Sequence, residues 1–401
     1  KLLLQKEIKT NKLTNIWVHF LLLSSLMLND KGKIGIVIPS ELFQVKYAKI
    51  VRNFLLKNFK KISIVSFKKL SFEGIQQDVI ILLCEKLNDD SVGILECDNL
   101  KKLTTYNKKN FIKKKRITIE NENEKWTKYF LNNKELSLIK EIYKNNKITN
   151  LSEYIDVDVG VVTGFNDYFI LNDNQVKKHK IEKHTINIVS KSNYLEGIIF
   201  DKKDKIYLSG KNTNLFYPSK LLTKNIKKYI QLGEKNKVNL GYKCSIRKNW
   251  FVVPTIWVPD IFILRQVHKH PKLILNHSNY TCTDTIHRGR IKKQINKYNL
   301  VSTFMNSLTF VSSELYGRSY GGGVMTYEPS EVEEFKIPKL IKYNLDYKFI
   351  DNNSRIGNID KIIDYVDDIT LRQYIGLNKK EILIIKNAWL KLSNKRILRN
   401  K

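Results

Sequence analysis

The sequence predicts an α/β protein whose first part is the closing half of an open sheet covered by helices. Short runs rich in β-branched residues at 33–40, 61–67 and 78–85 alternate with apolar segments of helical spacing. The later part of the chain changes to many short strands, and its end to amphipathic helices. With 401 residues and 42% hydrophobic composition, the chain is long enough for two or three domains with sizeable cores.

The first hundred residues have the clearest pattern. Residues 15–28 form a predicted helix that is apolar on most sides and ends in the turn residues 29–32. The run at 33–40 is continuous and β-branched, which is typical of a strand buried on both faces. Residues 47–59 have apolar positions at helical spacing with Lys and Arg between them. The loop at 70–77 lies at the edge of the predicted sheet, where ligands are usually bound.

The rest of the sequence is divided by its composition. Lysine runs alternate with short strands from 88 to 120, and a helix at 135–145 is predicted to bridge the two halves. From 151 onward aromatic residues are set among basic ones, and residues 359–392 are typical of two or three amphipathic helices. The predicted organisation is therefore an α/β region, connecting helices, a mixed α+β domain and a helical tail, at 1–118, 119–148, 149–340 and 341–401.

The charge balance indicates a polyanionic partner. The formal net charge is +32 and the pI is about 9.7, which favours nucleic acid as the partner. Part of the lysine excess also fits the amino-acid usage of an AT-rich genome. Arginine is less open to that explanation, and five of the 11 arginines fall between 247 and 318. This clustering favours a binding face in the second half, because Arg is suited to phosphate and guanine recognition.

Several other classes of protein or site are not indicated. The four cysteines have no C-x-x-C spacing and indicate reduced thiols in a cytosolic protein. No set of Cys and His has zinc spacing, so no metal site is predicted. The apolar run at 16–28 is too short to span a bilayer. The chain begins with Lys1 rather than Met, which favours a part of something longer.

A glycine-rich segment at 310–338 is the most distinctive stretch of the chain. Gly321, Gly322 and Gly323 allow close backbone approach and positive φ. Tyr316, Arg318 and Tyr320 precede them, and their rings and guanidinium are suited to a polyanion. A tight turn between two strands is the alternative interpretation.

These elements resemble the gamma-class adenine-N6 DNA methyltransferases, including the catalytic modules of fused restriction–modification enzymes. A helix of the form N-[aromatic]-x-x-F is similar to residues 15–20, although the aromatic residue falls one place late here. The family pattern G-K-x-x-x-[IV]-x-P-S corresponds to residues 32–40, and an aromatic loop leading into a strand corresponds to Phe72 ahead of 78–80.

The second half extends the resemblance over nearly the whole chain. The family pattern V-T-G-x-N-x-x-F is similar to residues 162–169. The closing pattern E-L-[FY]-G-R-S-Y-G-G-G-V, followed by E-P-S-E and I-P, is similar to residues 314–338 and is the most specific part. Two family motifs are missing from this sequence, the cofactor loop Phe-x-Gly-x-Gly and the catalytic tetrapeptide Asn-Pro-Pro-Tyr. All seven prolines are isolated, and the only Gly-x-Gly lies within 321–323.

The resemblance implies a role in methyl transfer from S-adenosylmethionine to N6 of adenine in double-stranded DNA, in a prokaryotic cytoplasm. By the resemblance, Phe72 stacks on the flipped target base, and Phe20 packs on the adenine ring of the cofactor. No catalytic residue is assigned to this chain. An N-terminal catalytic half, on the same or another polypeptide, would supply the missing motifs.

The DNA-facing residues are expected where arginine and aromatic residues are densest. Residues 242–251 are the richest such mixture, and 287–290 form the most compact basic turn. The candidates are Arg247, Trp250, His287, Arg288, Tyr316, Arg318, Gly321 and Gly322.

Two alternatives to a methyltransferase portion stay open at this point. One is a non-catalytic DNA-binding specificity subunit or remnant of a restriction–modification system. The other, an RNA-modifying enzyme, is weaker because the second half resembles readers of duplex DNA.

Overall fold

The computed structural model describes residues 14–69, 78–87, 91–106, 115–117, 124–218, 222–340 and 344–397. The chain divides into two compact units. The first contains Lys1–Ile142, Val311–Thr326 and Leu383–Lys401, and the second contains Tyr143–Phe310 and Tyr327–Ile382. The division differs from the predicted domains because residues 311–326, within the glycine-rich segment, and the end of the chain both belong to the first unit.

The first unit is built on a mixed sheet. Its described strands are β1 (Lys33–Pro39), β2 (Lys61–Phe67), β3 (Val79–Glu85), β4 (Ser91–Cys97) and β5 (Lys115–Ile117). The order is β1-β3-β2-β4-β5, with β3 antiparallel to both neighbours and β2 parallel to β4. The strands expected at 33–40, 61–67 and 78–85 are therefore present, each within one residue of its predicted ends.

The expected burial of β1 on both faces is wrong. Within the described residues β1 is the outer strand of the sheet and pairs with β3 alone. Val37 is 51% exposed, whereas all of β2 after Lys61 is buried. A β-branched run predicts a strand, but its burial depends on what covers each face.

The two helices predicted beside this sheet are present, and the first of them packs against both β1 and the second helix. The helix Ile16–Leu26 buries Val18 and Leu21 but leaves other apolar side chains exposed. The helix Lys49–Asn58 buries its apolar face together with Arg52. The Arg52 guanidinium donates to the Leu42 carbonyl at 2.8 Å, and burial lowers its pKa to about 10. Arg52 thereby holds the turn that follows β1. The other helices of this unit include Leu100–Leu103 and Asn133–Lys144.

The second unit contains two larger sheets and one pair of strands. Its strands are β6 (Ile148–Asn150), β7 (Ile155–Val159), β8 (Ile170–Leu171), β9 (Thr185–Val189), β10 (Ile199–Phe200), β11 (Asn214–Phe216), β12 (Ile261–Leu264), β13 (Gln266–Val267), β14 (Leu273–Asn276), β15 (Thr281–Cys282), β16 (Ile286–Ile291) and Lys336–Pro338. One sheet has the order β10-β14-β12-β16-β7 and the other β15-β9-β11-β8, while Lys336–Pro338 pairs with β6. The many short strands agree with the predicted mixed α+β character.

The helices of the second unit are mostly short, and two apolar cores stabilise its sheets. The helices are Asn166–Phe169, Asp173–His179, Lys202–Tyr207, Lys224–Lys235, Tyr242–Ser245, Lys297–Thr303 and Pro329–Glu333. One core is formed around Tyr168, Phe169 and Phe216, and the other around Phe200 and Phe262.

The helical tail is present as expected. It contains Tyr347–Arg355, Ile359–Asp367, a π-helical stretch Asp368–Ile375 and Lys379–Ile397. Arg355 anchors the first tail helix to the helix Lys202–Tyr207 by binding Asp204 at 2.7 Å, and it also binds Asp351 of its own helix at 2.8 Å. These hydrogen bonds raise the pKa of the Arg355 guanidinium, which therefore stays charged.

Within the described ranges, no helix is both long and apolar enough to cross a membrane. The same residues contain no cluster of three or more His, Cys, Asp or Glu side chains arranged to hold a metal ion. All four cysteines are buried and unpaired by disulfides. Burial raises the pKa of the Cys84 thiol to about 12, so this sulfur is protonated at neutral pH.

Candidate nucleic-acid interface

Two separate motifs of the sequence meet on the surface of the second unit. The loop at 162–165 lies against the helix Tyr242–Ser245. Gly164 has φ +89°, and a Cβ at this position would lie 2.9 Å from Lys243 Cβ. Only glycine combines this backbone conformation with so close an approach. The structure therefore brings the V-T-G pattern and the basic aromatic segment into one site.

Arg247 holds the loop in place. Its Nη2 donates to the carbonyl oxygens of Val162 at 2.9 Å and Thr163 at 2.8 Å. Its guanidinium lies over the Phe169 ring, 5.6 Å from the centroid. Burial lowers the pKa of Arg247, which is half-buried. Arg247 therefore lies in the predicted interface, where part of its hydrogen-bonding capacity is used to fix the loop.

A groove follows the same surface, with an empty volume of about 1000 Å³ that is partly open to solvent. The lining residues are Val162, Lys243, Ile246, Arg247, Lys248, Asn249, Val252 and Pro254. Beside it, Tyr242 is 74% exposed and Phe165 is 49% exposed. Such exposed apolar and aromatic side chains among cations are suited to a nucleic acid, which presents both base faces and phosphates. The sequence interpretation missed Lys243, Lys248 and Asn249, although all three lie within 242–251.

Trp250 supports the groove from below. Its ring lies 5.4 Å from that of Tyr168, and its Nε1 donates to Glu234 Oε1 at 3.3 Å. Gly233 makes room for the indole, since a Cβ there would be 2.3 Å from Trp250 Cη2. Trp250 is half-buried in this aromatic cluster.

His287 and Arg288 lie inside the second unit. His287 is 0% exposed, and its Nε2 is 2.8 Å from the Tyr327 carbonyl oxygen. Arg288 is 2% exposed and donates to the carbonyls of Val159 and Thr255 and to Asp158. This burial does not fit the predicted DNA contact, because both side chains lie away from solvent and the Arg288 guanidinium donates to acceptors of the protein itself.

The other predicted candidates belong to the first unit, in the glycine-rich segment. Tyr316, at the end of the helix Ser307–Tyr316, is followed by a hairpin that pairs Arg318–Ser319 with Met325–Thr326. Gly322 has φ +78° and Gly323 has φ +72°, so the triplet supplies the turn of this hairpin. The tight turn between two strands, which is the alternative interpretation of this segment, is therefore present. Tyr316 and Arg318 are half-buried, and Gly321 begins the turn.

A buried ion pair between Arg396 and Glu314 lies next to this hairpin and stabilises it. Arg396 Nη2 lies 2.7 Å from Glu314 Oε1, with side-chain exposures of 4% and 2%. Arg396 Nη1 also donates to the Gly323 carbonyl at 2.5 Å. At the front of the hairpin, the Ser319 N–H donates to Gln44 Oε1. The carbonyl carried by the glycine turn is thus fixed by the last helix of the chain.

A cleft of the first unit lies beside this hairpin and has an empty volume of about 420 Å³, part of it open to solvent. Its wall includes Ser40, at the end of β1, and Asp78, at the start of β3, whose backbone groups are joined by a 2.9 Å hydrogen bond. The wall is completed by Phe43, Gln44, Thr127, Phe130, Glu314, Ser319, Met325, Leu392, Lys395 and Arg396.

The resemblance assigns stacking roles to Phe72 and Phe20, and the structure describes only Phe20. Phe72 lies outside the described residues; the next described residue along the chain, Asp78, lines the cleft. Phe20, on the helix Ile16–Leu26, is 64% exposed rather than part of the core. Its ring is therefore available to a partner or ligand.

Comparison with known proteins defines the class of this chain. Residues 123–371 match the family model of the Type II methyltransferase M.Eco57I C-terminal domain, and residues 1–72 match that of the Eco57I restriction–modification methylase. The chain belongs to this family of Type II restriction–modification methyltransferases. The Type II methyltransferase M.AccI of Acinetobacter calcoaceticus is 24% identical over 397 residues, covering 91% of this chain and 72% of that protein.

Solved restriction–modification enzymes also match in structure. The Type IIL enzyme MmeI, solved in complex with DNA, matches 94% of this chain with a TM-score of 0.52 and 12% identity. The type IIG restriction endonuclease BpuSI matches 96% of the chain with a TM-score of 0.45 and 13% identity. The chain spans about half the length of both enzymes, 51% and 49% respectively. At this identity, the MmeI match supports similarity of fold alone.

Proposed function

We propose that this chain is the base-flipping and DNA-recognition part of a site-specific methyltransferase that transfers a methyl group from S-adenosylmethionine to N6 of adenine. The observation that carries the proposal is the groove of the second unit, where the V-T-G loop and the basic aromatic segment form one exposed surface. Family membership supports the methyltransferase reaction, and the groove supports duplex DNA as the partner.

The side chains of the groove divide by chemistry into two kinds of contact. Lys243 and Lys248 are exposed cations suited to phosphates, whereas Asn249 and Arg247 have the amide and guanidinium groups that read base edges. Tyr242 and Phe165 present exposed rings beside them. In the first unit, the proposed DNA-facing residues are Tyr316, Arg318, Gly321 and Gly322. The turn formed by the glycines would allow the hairpin to approach DNA closely.

Salt dependence tests this assignment. Each phosphate contact contributes a slope of about −0.9 to the logarithmic dependence of duplex affinity on salt. We expect Lys243→Ala with Lys248→Ala to reduce the slope by about 1.8. Arg318→Ala should also weaken duplex binding. Lys361→Ala, an exposed lysine on the tail helix Ile359–Asp367, serves as the control and should leave affinity and slope unchanged. A flat salt response of the unaltered chain would refute DNA binding.

Base flipping is assigned to the first unit. An adenine amine within the duplex is paired and stacked, and extruding the base costs a few kcal/mol. A stacking aromatic ring recovers roughly 1–3 kcal/mol of this cost. We assign that ring to Phe72, since the segment that carries it leads directly to Asp78 in the wall of the cleft.

The cofactor and the catalytic tetrapeptide are assigned to a second half that docks on the first unit. Ile16, Phe20 and Met27 are exposed by 66%, 64% and 81%, and Val37 on the outer strand β1 is 51% exposed. Removing such apolar side chains from water favours association by about 25 cal/mol per Å². S-adenosylmethionine supplies the methyl group when it is bound. Phe20 fits a role as a stacking face for its adenine, while the sequence holds neither of the two motifs expected to bind the cofactor and the amine.

Methyl transfer is tested by adding a polypeptide that carries the cofactor loop and Asn-Pro-Pro-Tyr. Transfer of radiolabelled methyl from S-adenosylmethionine to duplex DNA is measured, and the product is identified by nuclease digestion and mass spectrometry. We expect N6-methyladenine with the unaltered chain. We also expect Phe72→Ala to abolish most methylation while duplex affinity is kept, and Phe72→Tyr to restore it.

Two outcomes would contradict parts of this proposal. Unchanged methylation by Phe72→Ala would remove the stacking assignment. Sequence-specific binding without methylation, even with the second half present, would instead favour the non-catalytic specificity subunit.

A further inference from the structure

A tryptophan and two arginines form a stack at the surface of the second unit. Residues 286, 288 and 290 of β16 lie on the same face of the strand because side chains alternate with period two. Ile286 is fully buried, Arg288 is 2% exposed, and Arg290 is exposed. One face of β16 therefore passes from the core to solvent within five residues.

Trp257 lies over both guanidinium groups. The Arg288 Cζ is 4.5 Å from the ring centroid and the Arg290 Cζ is 4.7 Å from it. The backbone at Trp257 is held by a 2.9 Å hydrogen bond from Thr281 Oγ1 to its carbonyl oxygen. The buried Arg288, with its hydrogen bonds to protein acceptors, gives the ring a rigid support. Arg290 is thus held against this aromatic ring.

The donors of Arg290 remain available. The residue paired with Arg290 on the neighbouring strand β7 is Asp156. The Asp156 carboxylate binds Lys292 at 2.8 Å and not Arg290. In the part of the chain that the structure describes, the Arg290 side chain makes no hydrogen bond or ion pair. A guanidinium offers five donors in a planar fork, and guanine offers O6 and N7 as a matching pair of acceptors in the major groove.

This stack is continuous with the groove along the chain. Arg288 Nε donates to the Val159 carbonyl at 2.9 Å, and four residues later the Thr163 carbonyl accepts from Arg247. On the other side, Pro254 of the groove wall lies three residues before Trp257. The same two segments therefore carry both the groove and the stack.

We propose that Arg290 reads a guanine in the recognised DNA sequence, with Trp257 and Arg288 as its positioning residues. The inference rests on the proposed function and deepens it by naming a specificity-determining residue. A base contact is favoured over a phosphate contact because contact with the Trp257 ring restricts the positions open to the guanidinium. Planar, bidentate recognition requires such restriction, whereas a phosphate is satisfied by a mobile cation. Preorganisation also reduces the entropy lost on binding.

The test is selection of duplex DNA from a random-sequence library by the 401-residue chain, followed by sequencing of the bound pool. We expect a consensus that contains guanine. For Arg290→Lys, which keeps the charge but loses the fork, discrimination at one guanine should fall by about 5- to 150-fold while the other positions keep their preference. Arg290→Ala should give the same pattern with lower overall affinity. Trp257→Leu, which keeps Arg290 but removes its support, should weaken preference at that same position.

Lys293→Ala is the matched control, because it removes an exposed cation three residues after Arg290 whose ion-pair partner is Glu153 and not the Asp156 beside Arg290. It should change affinity equally for all sequences. An unchanged guanine preference in Arg290→Lys and Arg290→Ala, or a loss of affinity that is uniform over sequences, would overturn the inference and leave the proposed function intact. Failure of the unaltered chain to enrich any sequence would overturn both.

Discussion

Replacing Arg288 by Met tests whether this arginine stabilises the fold or contacts DNA. The Arg288 guanidinium donates to the carbonyls of Val159 and Thr255 at 2.9 and 2.8 Å and to Asp158 at 3.0 Å. Losing these bonds leaves two backbone acceptors without their donor, at about 1–3 kcal/mol each. Methionine keeps the apolar stem and removes the desolvation cost of the charge, which offsets part of the loss. We therefore expect destabilisation of about 2 kcal/mol.

Hydrogen exchange of the free protein measures this effect locally, because a chain with two units need not unfold in one step. Amides in β7 and β16 should exchange about 30-fold faster in Arg288→Met, which corresponds to about 2 kcal/mol. Arg290→Met is the control. It removes only an exposed contact with Trp257, worth about 0.5–1 kcal/mol.

The reasoning would be refuted if Arg288→Met left exchange in the free protein unchanged and still reduced duplex affinity. That result would mean that Arg288 acts in DNA binding itself, either by direct contact or through its support of Trp257 and Arg290.

Three further predictions concern other parts of the two units. Gly164→Ala should destabilise the groove loop by about 1–3 kcal/mol and weaken duplex binding, since it adds both a strained φ and a contact with Lys243; thermal unfolding and DNA titration measure this. Arg396→Leu should cost about 3–5 kcal/mol in the unfolding free energy of the first unit, because it leaves the buried Glu314 unpaired. Burial lowers the pKa of His270 to about 4, so unfolding takes up a proton below pH 6.5 and stability should fall by up to roughly 3 kcal/mol as the pH is lowered to 4. His270→Gln should remove this part of the pH dependence.

Each of these predictions has a matched control. Gly210 has φ +77°, and a Cβ added there would meet nothing within 4 Å, so Gly210→Ala adds strain without a contact. Equal effects at Gly164 and Gly210 would contradict the packing argument. Restoration of stability by the double change Arg396→Leu with Glu314→Leu would show that the unpaired charge causes the loss. For His270, His270→Asn should give the same pH profile as His270→Gln, because neither amide side chain takes up a proton.

The strands of the first sheet are predictable because their signal is local. A run of β-branched residues favours extended backbone wherever it occurs, and β1, β2 and β3 are found where the sequence predicts them. The exposure of β1 is not local, because it depends on which elements lie on each face of the sheet. The continuous apolar pattern therefore predicts the strand and not its surroundings.

The interface depends even more on contacts between distant residues. Arg247 binds the carbonyls of a loop more than 80 residues earlier, and no spacing in the sequence reports that contact. The sequence interpretation selected Arg288 and not Arg290 as a DNA contact, because residue spacing does not show which of the two is buried. Both lie on one face of β16, and the packing of that face determines which guanidinium is buried.

The family, the order of the main elements and the basic aromatic segment at 242–251 are readable from the sequence, because they follow from residue types at short spacing. Tertiary packing places residues 311–326 in the first unit, buries Arg288, and brings Gly164 and Lys243 together at one groove. The burial of a side chain and its contacts with distant residues depend on packing between segments that are far apart in the chain, so local sequence patterns do not predict them.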